Sequence, residues 1–432
     1  MAQPPSGEQP WGAPDPSQRQ DPGLAAGPGN GAGRLGPGTG GRRIGRRTLF
    51  KGAGGIAVAG VGIGVLPLFS TPDRHQDPAA CRAQDVSAKN KTFTISTWPL
   101  YIDTDTKHHT STLTDFQKEF GVKVNYYTDV TDNVVFFNKV VNQLGSCTTT
   151  GRDMMVLTDW MAARMIQMGW LQPMDPAKVP NLHNNIISSL RAPAWDPERK
   201  FSAPWQAGFT GIGYNTKYLP NPPRNIKDLL TRPDLKGKVA VMTEMRDTMG
   251  LMLLGLGYDP ENFTQAQWDE SIAFLEKAKV DGQIRAFSGQ EYTDDLAAGN
   301  TVACIAWSGD MAAASPDAHS KFLVPEEGMM IWSDNMLIPN MASHQTIAED
   351  WVNFYYRPEQ AARLADYNYY VSPVQGIEPY IKKIDPDLLK DRDLANLVLP
   401  NDDYLKQTHN FMALSEAQIR NYERDFSNVS GV

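Results

Sequence analysis

The sequence predicts an α/β protein in which a parallel sheet carries helices on both faces. Two observations carry this. From Lys91 onward, short β-branched or apolar runs alternate with stretches of helical spacing. The runs end in Gly, Asp, Ser or Thr, residues that stop strands or cap helices. In order, Thr92–Trp98 alternates and reads as a strand. Ser111–Phe120 places Leu113, Phe116 and Phe120 at helical spacing and stops at Gly121. Val122–Thr128 is the next strand and Asn133–Leu144 the next helix. Asp153–Leu157 reads as a buried strand, with Thr158 or Asp159 capping a helix that ends near Gly169. The rhythm continues through a strand at Val239–Met242, a helix to Gly257, a helix at Trp268–Lys279, and strands at Val302–Ala306 and Lys321–Val324. Two helices follow, Thr346–Tyr356 and Pro358–Tyr367.

The first ninety residues differ in texture. Residues 1–41 hold 11 Gly and 8 Pro with almost no aliphatics, a composition that cannot offset its ordering entropy, so disorder is expected. Over 42–72, paired arginines (Arg46 and Arg47 in GRRTLFK) precede an uncharged, glycine-rich, weakly apolar run. That pattern resembles a twin-arginine export signal, the alternative being a single uncleaved membrane anchor. Residues 73–90 read as a linker. Within it, Cys81 follows Ala79-Ala80 and is either a lipidation site or an ordinary thiol. Of the remaining cysteines, Cys147 and Cys304 can in principle pair. Net charge is −8, with the first ninety residues at +4 and the remainder at −12. So acidic a body argues against a nucleic-acid partner.

Ligands of open α/β sheets sit outside the carboxyl ends of strands. At those positions stand Trp98 and Tyr101, then Thr158, Asp159 and Trp160, then Glu244 and Asp247, then Trp307, then Trp332 and Asp334. Acids alternate with flat rings. A slender organic polycation needs both: carboxylates for its ammoniums, and ring faces that wall its methylenes and attract each cation by ~0.5–2 kcal/mol.

The segments TFTISTWPLYI, FSAPWQAGFTGIGYNTK, TEMRD, VACIAWSGD and WSDNMLIP, with the run YRPEQAARLADYNYYVSP, mark a resemblance. From Lys91 to Val432 the chain resembles the spermidine/putrescine-binding proteins of ABC importers. That resemblance implies the periplasmic-binding-protein type II fold, two lobes joined by crossing hinge segments. The lobes would be 91–208 with 333–378, and 213–329 with 379–432. It implies that Trp98 and Tyr101 line one wall and that Thr158 and Trp160 stand opposite. Glu244 and Asp247 would take one end of the ligand. Asp334 would grip an inner ammonium, Trp307 and Trp332 would sandwich the methylenes, and Tyr370 would close the pocket. His409 falls where relatives carry a glutamine. Leu100 falls where a spermidine-type site has an acid, which favours a diamine. The implied partners are a polyamine, putrescine or spermidine, and an ABC permease. The protein is expected to be a monomer outside the cytoplasm, anchored if Cys81 is lipidated or the signal uncleaved, with no cofactor and no metal.

Three other readings compete: an enzyme, a ferric-ion binder, and a binder of another solute such as a sugar or small peptide. Aromatic walls suit a sugar too, but three carboxylates are not needed for it. No HExxH, GxSxG, P-loop or strand-borne GxGxxG supports an enzyme, and His108-His109 lacks a third ligand. A ferric-ion binder of the same fold would use adjacent tyrosines. Tyr369-Tyr370 is the candidate pair, because Tyr126-Tyr127 lies in a strand and Tyr355-Tyr356 in a helix, where neighbours point apart.

Overall fold

The computed structural model describes residues 81–106 and 110–431. The extension over 1–41, the signal segment over 42–72, the linker up to residue 80 and the His108-His109 pair lie outside the described residues. Ten strands form one sheet: β1 Thr92–Ser96, β2 Lys123–Tyr127, β3 Met154–Thr158, β4 Ser202–Asn215, β5 Val239–Met242, β6 Ile284–Ser288, β7 Ala303–Trp307, β8 Ser320–Leu323, β9 Met329–Leu337 and β10 Thr408–His409. Their order is β2-β1-β3-β9-β4-β7-β5-β6, with β8 on β4 and β10 on β9.

The sheet is mixed, which corrects the parallel sheet expected from the βα rhythm. The parallel expectation holds within each half, where β1 pairs with β2 and β3, and β5 with β6 and β7. Between the halves, β4 and β9 pair antiparallel with each other, with β3 and with β7. They are long because they run through two cores. β4 contributes Ala203 and Trp205 to the first core and Ile212 to the second, and β9 contributes Met336 to the first and Met330 to the second. The first core gathers Phe93, Ile95, Phe116, Trp351 and Phe354. The second gathers Val239, Met249, Leu253, Trp268 and Ile305. This is the two-lobed type II architecture, with β4 and β9 as crossing segments.

Helices form where local chemistry and burial agree. Ser111 caps the Thr112–Phe120 helix by accepting from the Thr114 N–H, and Gly121 ends it at φ 63°, a conformation glycine adopts without strain. The Glu416–Ser430 helix starts on a reciprocal capping box between Ser415 and Gln418. Its Tyr422, Phe426 and Val429 pack into the second core, whereas Ile381, Leu388 and Val398, from the segment after residue 378, pack into the first.

The cysteines also depart from expectation. Cys81 is bonded to Cys147, and Cys304 is a buried free thiol on β7. The Cys147–Cys304 pair is therefore absent, because Cys147 is taken by Cys81 and Cys304 is buried within the second core. A sulfur held in a disulfide is not free to carry a lipid thioether, so Cys81 is neither the lipidation site nor the free thiol expected of it.

Candidate functional site

Strand ends build the site. β1 delivers Trp98 and Tyr101, β3 delivers Thr158, and the Asp159–Gln167 helix that follows delivers Asp159 and Trp160. Beyond β5, Glu244 caps the Met245–Gly255 helix, which carries Arg246 and Asp247 in its first turn. β7 ends at Trp307, and β9 presents Trp332 and Asp334 mid-strand where it passes from one core to the other. All ten residues singled out in the sequence line one cavity of about 490 Å³. Leu100 and His409 are not among its lining residues, and Leu100 is 49% exposed at φ 59°. Leu100 is therefore not the apolar wall that would replace an acid.

Each acid is held by neutral donors. Asp334 accepts from the Tyr101 hydroxyl at one oxygen and from Thr158 Oγ1 at 2.7 Å at the other. Asp247 accepts from Thr210 Oγ1 at 2.8 Å and from Trp307 Nε1 at 2.9 Å. Trp332 Nε1 donates to the same Thr210 hydroxyl at 3.1 Å. Asp159 accepts from the backbone N–H groups of Trp160 at 2.7 Å and Ser333 at 3.3 Å, so it ties the helix start to β9. Behind the cavity, Tyr370 donates to Asp310 at 3.0 Å, an acid that also accepts from Tyr292.

Burial dominates the electrostatics. Removal from water pushes Asp334 up to about 7, and Asp159 and Asp247 each up to about 6. Glu244 rises to about 8, with burial the main cause and Arg246 opposing it. Crowded, desolvated acids of this kind are relieved by cations.

Rings complete the walls. Centroids run Trp98 to Tyr101 at 6.5 Å, Tyr101 to Tyr370 at 6.1 Å, Tyr370 to Trp332 at 5.5 Å and Trp332 to Trp307 at 6.3 Å. Two glycines make room for them. A Cβ at Gly208 would lie 2.6 Å from the Trp332 ring and 2.9 Å from that of Tyr370, and one at Gly309 would lie 2.6 Å from Tyr370. Trp160 stands apart, because the Arg246 guanidinium covers its ring at 3.4 Å from the centroid.

The sequence reading missed Thr210, Arg246, Gly208 and Asp310. Arg246 stands inside TEMRD between its two acids, whereas Thr210 and Gly208 sit in the middle of β4, where no strand end marks them in the sequence. Tyr355 and Tyr356 donate to the Trp205 and Pro204 carbonyls, and of Tyr369-Tyr370 only Tyr370 lines the cavity. Among the described residues, no group of three or more His, Cys, Asp or Glu could hold a metal ion.

Two α/β lobes joined by β4 and β9, with an acid- and ring-lined cavity at their strand ends, define a solute-binding protein of the periplasmic type II class. The chain belongs to the bacterial extracellular solute-binding protein family, which it matches over residues 149–408. It is 30% identical over 314 residues to the putrescine-binding periplasmic protein PotF of Escherichia coli K12, covering 68% of this chain and 81% of that one. It is 27% identical over 359 residues to the putrescine-binding periplasmic protein SpuD of Pseudomonas aeruginosa, covering 77% and 93%. Among solved structures, the spermidine/putrescine ABC transporter substrate-binding protein PotD of Streptococcus pneumoniae matches with a TM-score of 0.65 at 26% identity, covering 79% of this chain and 99% of that one.

Proposed function

We propose that the chain captures a polyamine, putrescine or spermidine, between its two lobes outside the cytoplasm and presents it to the permease of an ABC importer. The observation that carries this is the Asp334–Asp247 pair. Both acids are buried, both are raised by desolvation, and both are hydrogen-bonded by neutral groups alone inside a ring-lined cavity. An ammonium beside each would restore the ionised form, and the methylenes between them would lie against Trp307, Trp332 and Tyr370. No step of covalent chemistry is needed for this, and on this reading the protein is a receptor rather than an enzyme.

We divide the lobes within β4 and β9 and place a further crossing between Val398 and Phe411, not at the 378/379 boundary that the resemblance implies, because packing changes there from the first core to the second. The Cys81–Cys147 disulfide suits an oxidising compartment, and among the described residues no helix is long and apolar enough to cross a membrane. Export by the Arg46-Arg47 signal accounts for that compartment. Changing both arginines to lysine keeps the charge and should leave the precursor inside the cell, whereas normal export of the double variant would refute the assignment.

The test of function is a thermal-shift panel of putrescine, cadaverine, spermidine, spermine, ferric iron and maltose. Polyamines should raise the melting temperature, since a ligand at 100 times its Kd adds about 2.7 kcal/mol. A shift with iron or maltose and none with any polyamine would overturn the proposal.

A further inference from the structure

Thr210 lies inside β4, is fully buried, and is not among the residues that line the cavity. The sheet order places β4 between β9 and β7, the strands that carry the two tryptophans. Thr210 stands directly opposite Trp307 on β7. Gly208, two residues earlier and so on the same face, stands opposite Trp332 on β9. One hydroxyl gathers what these strands bring. Trp332 Nε1 lies 3.1 Å from Thr210 Oγ1, and Thr210 Oγ1 lies 2.8 Å from Asp247 Oδ1. An indole N–H only donates, and a hydroxyl has a single proton to give. The hydroxyl therefore accepts from Trp332 and donates to Asp247. Trp307 Nε1 donates to the other oxygen, Oδ2, at 2.9 Å. Both indoles are thus tied to one carboxylate, Trp307 directly and Trp332 through Thr210. Their rings meet edge to face, with centroids 6.3 Å apart and planes at 70°.

We propose that Thr210 is a positioning residue: its hydroxyl fixes the Trp332 ring and the Asp247 carboxylate relative to each other, so that methylene wall and ammonium acceptor meet the ligand already aligned. This rests on the polyamine reading above and deepens it. Valine suits a buried strand as well as threonine does, so neither strand propensity nor packing asks for the oxygen. Gly208 leaves space for the Trp332 ring, since a Cβ there would lie 2.6 Å from it. Space alone does not set the ring's orientation, whereas the bond from its N–H to Thr210 does. The bonds from Trp307 and Thr210 also favour the ionised form of Asp247 against burial, which pushes it up to about 6. Without the hydroxyl, Trp332 Nε1 and Asp247 Oδ1 each lose this partner in a desolvated place. A buried group left unpaired is costly, so ring and acid would turn towards other partners, and binding would have to restore their alignment.

The experiment is calorimetric titration of putrescine and spermidine into wild type, Thr210→Val and Thr210→Ser. Thr210→Val keeps the shape and removes the oxygen. It should lose about thirtyfold in putrescine affinity, the fold-change that corresponds to leaving a buried polar group unpaired. Thr210→Ser keeps the oxygen and loses the methyl. It should bind putrescine at least about tenfold more tightly than Thr210→Val. A residue needed only to fill space would give the reverse order, because valine preserves its volume and serine does not. Putrescine affinity of Thr210→Val within threefold of wild type, or Thr210→Ser binding no more tightly than Thr210→Val, would overturn the role of Thr210. If Thr210→Val does not melt cooperatively, Thr210→Ala takes its place under the same criteria, since the serine variant differs from it by the oxygen alone. A wild type that binds neither putrescine nor spermidine would instead overturn the polyamine reading itself.

Discussion

Replacing Asp334 with asparagine should make the empty protein more stable at neutral pH while nearly abolishing binding. In the folded, ligand-free state the carboxyl is pushed from 3.8 up to about 7 by burial, against the lowering effect of hydrogen bonds from Tyr101 and Thr158. A raised acid pKa means that the folded state holds the proton more tightly than the unfolded chain. The stability penalty is therefore absent below the unfolded value, grows as pH rises, and is complete above the folded value. A shift of roughly three units corresponds to about 4 kcal/mol at full ionisation. This is an upper bound for the variant, because the asparagine amide cannot accept both hydroxyls as the carboxylate does. The assay is ligand-free thermal melting of both proteins from pH 4 to pH 8. The melting temperature of wild type should fall relative to Asp334→Asn across pH 4–7 and level off above. In parallel, putrescine affinity should drop by two to three and a half decades, the ~3–5 kcal/mol expected when one partner of a buried charge pair is removed. A pH-independent difference between the melting curves would refute the electrostatic reasoning, and unchanged putrescine affinity would refute the placement of Asp334 in the site.

Other expectations follow from the same geometry. Gly208→Ala would place a methyl against the rings of Trp332 and Tyr370; calorimetry should show at least a tenfold loss of putrescine affinity, and an unaffected affinity would show that these rings do not wall the ligand. Leu100→Glu adds its acid at an exposed position outside the cavity lining, so the spermidine-to-putrescine ratio should stay within threefold of wild type, and a larger gain for spermidine would mean that this residue reaches the ligand. Because β4 and β9 join the lobes, putrescine should shrink the radius of gyration measured by small-angle scattering, and an unchanged radius at saturation would refute hinge closure.

The candidate site was more legible in the sequence than the sheet that holds it. Trp98, Thr158, Trp307 and the Glu244–Asp247 pair could be placed because a short apolar run fixes a strand, and the residue after a strand falls at the sheet's carboxyl edge. β4 was not legible as a 14-residue strand. It contains Pro204, Gly208, Gly211 and Gly213, which read locally as breakers, and the reason for Gly208 lies in rings brought from residues 332 and 370. The antiparallel pairing of β4 with β9 is likewise a long-range fact that periodicity does not record. Cys81 and Cys147 are 66 residues apart in sequence, yet their Cα atoms approach to 5.4 Å, a proximity that only the assembled lobe creates. Arg246 was passed over because the acids on either side of it gave the stronger signal, and only its stacking on Trp160 shows that it faces the cavity.

The central claim is that this cavity binds a polyamine through acids that are partly protonated when empty. It is tested most directly by titrating putrescine into the ligand-free protein at pH 7 by calorimetry, in two buffers of different ionisation enthalpy. Cations beside Asp334 and Asp247 would pull their raised pKa values down, so binding should release protons. The account predicts one equivalent of putrescine bound, with a heat that depends on the buffer in the sense of proton release. Absence of binding by putrescine, cadaverine, spermidine and spermine alike, or proton uptake on binding, would contradict it.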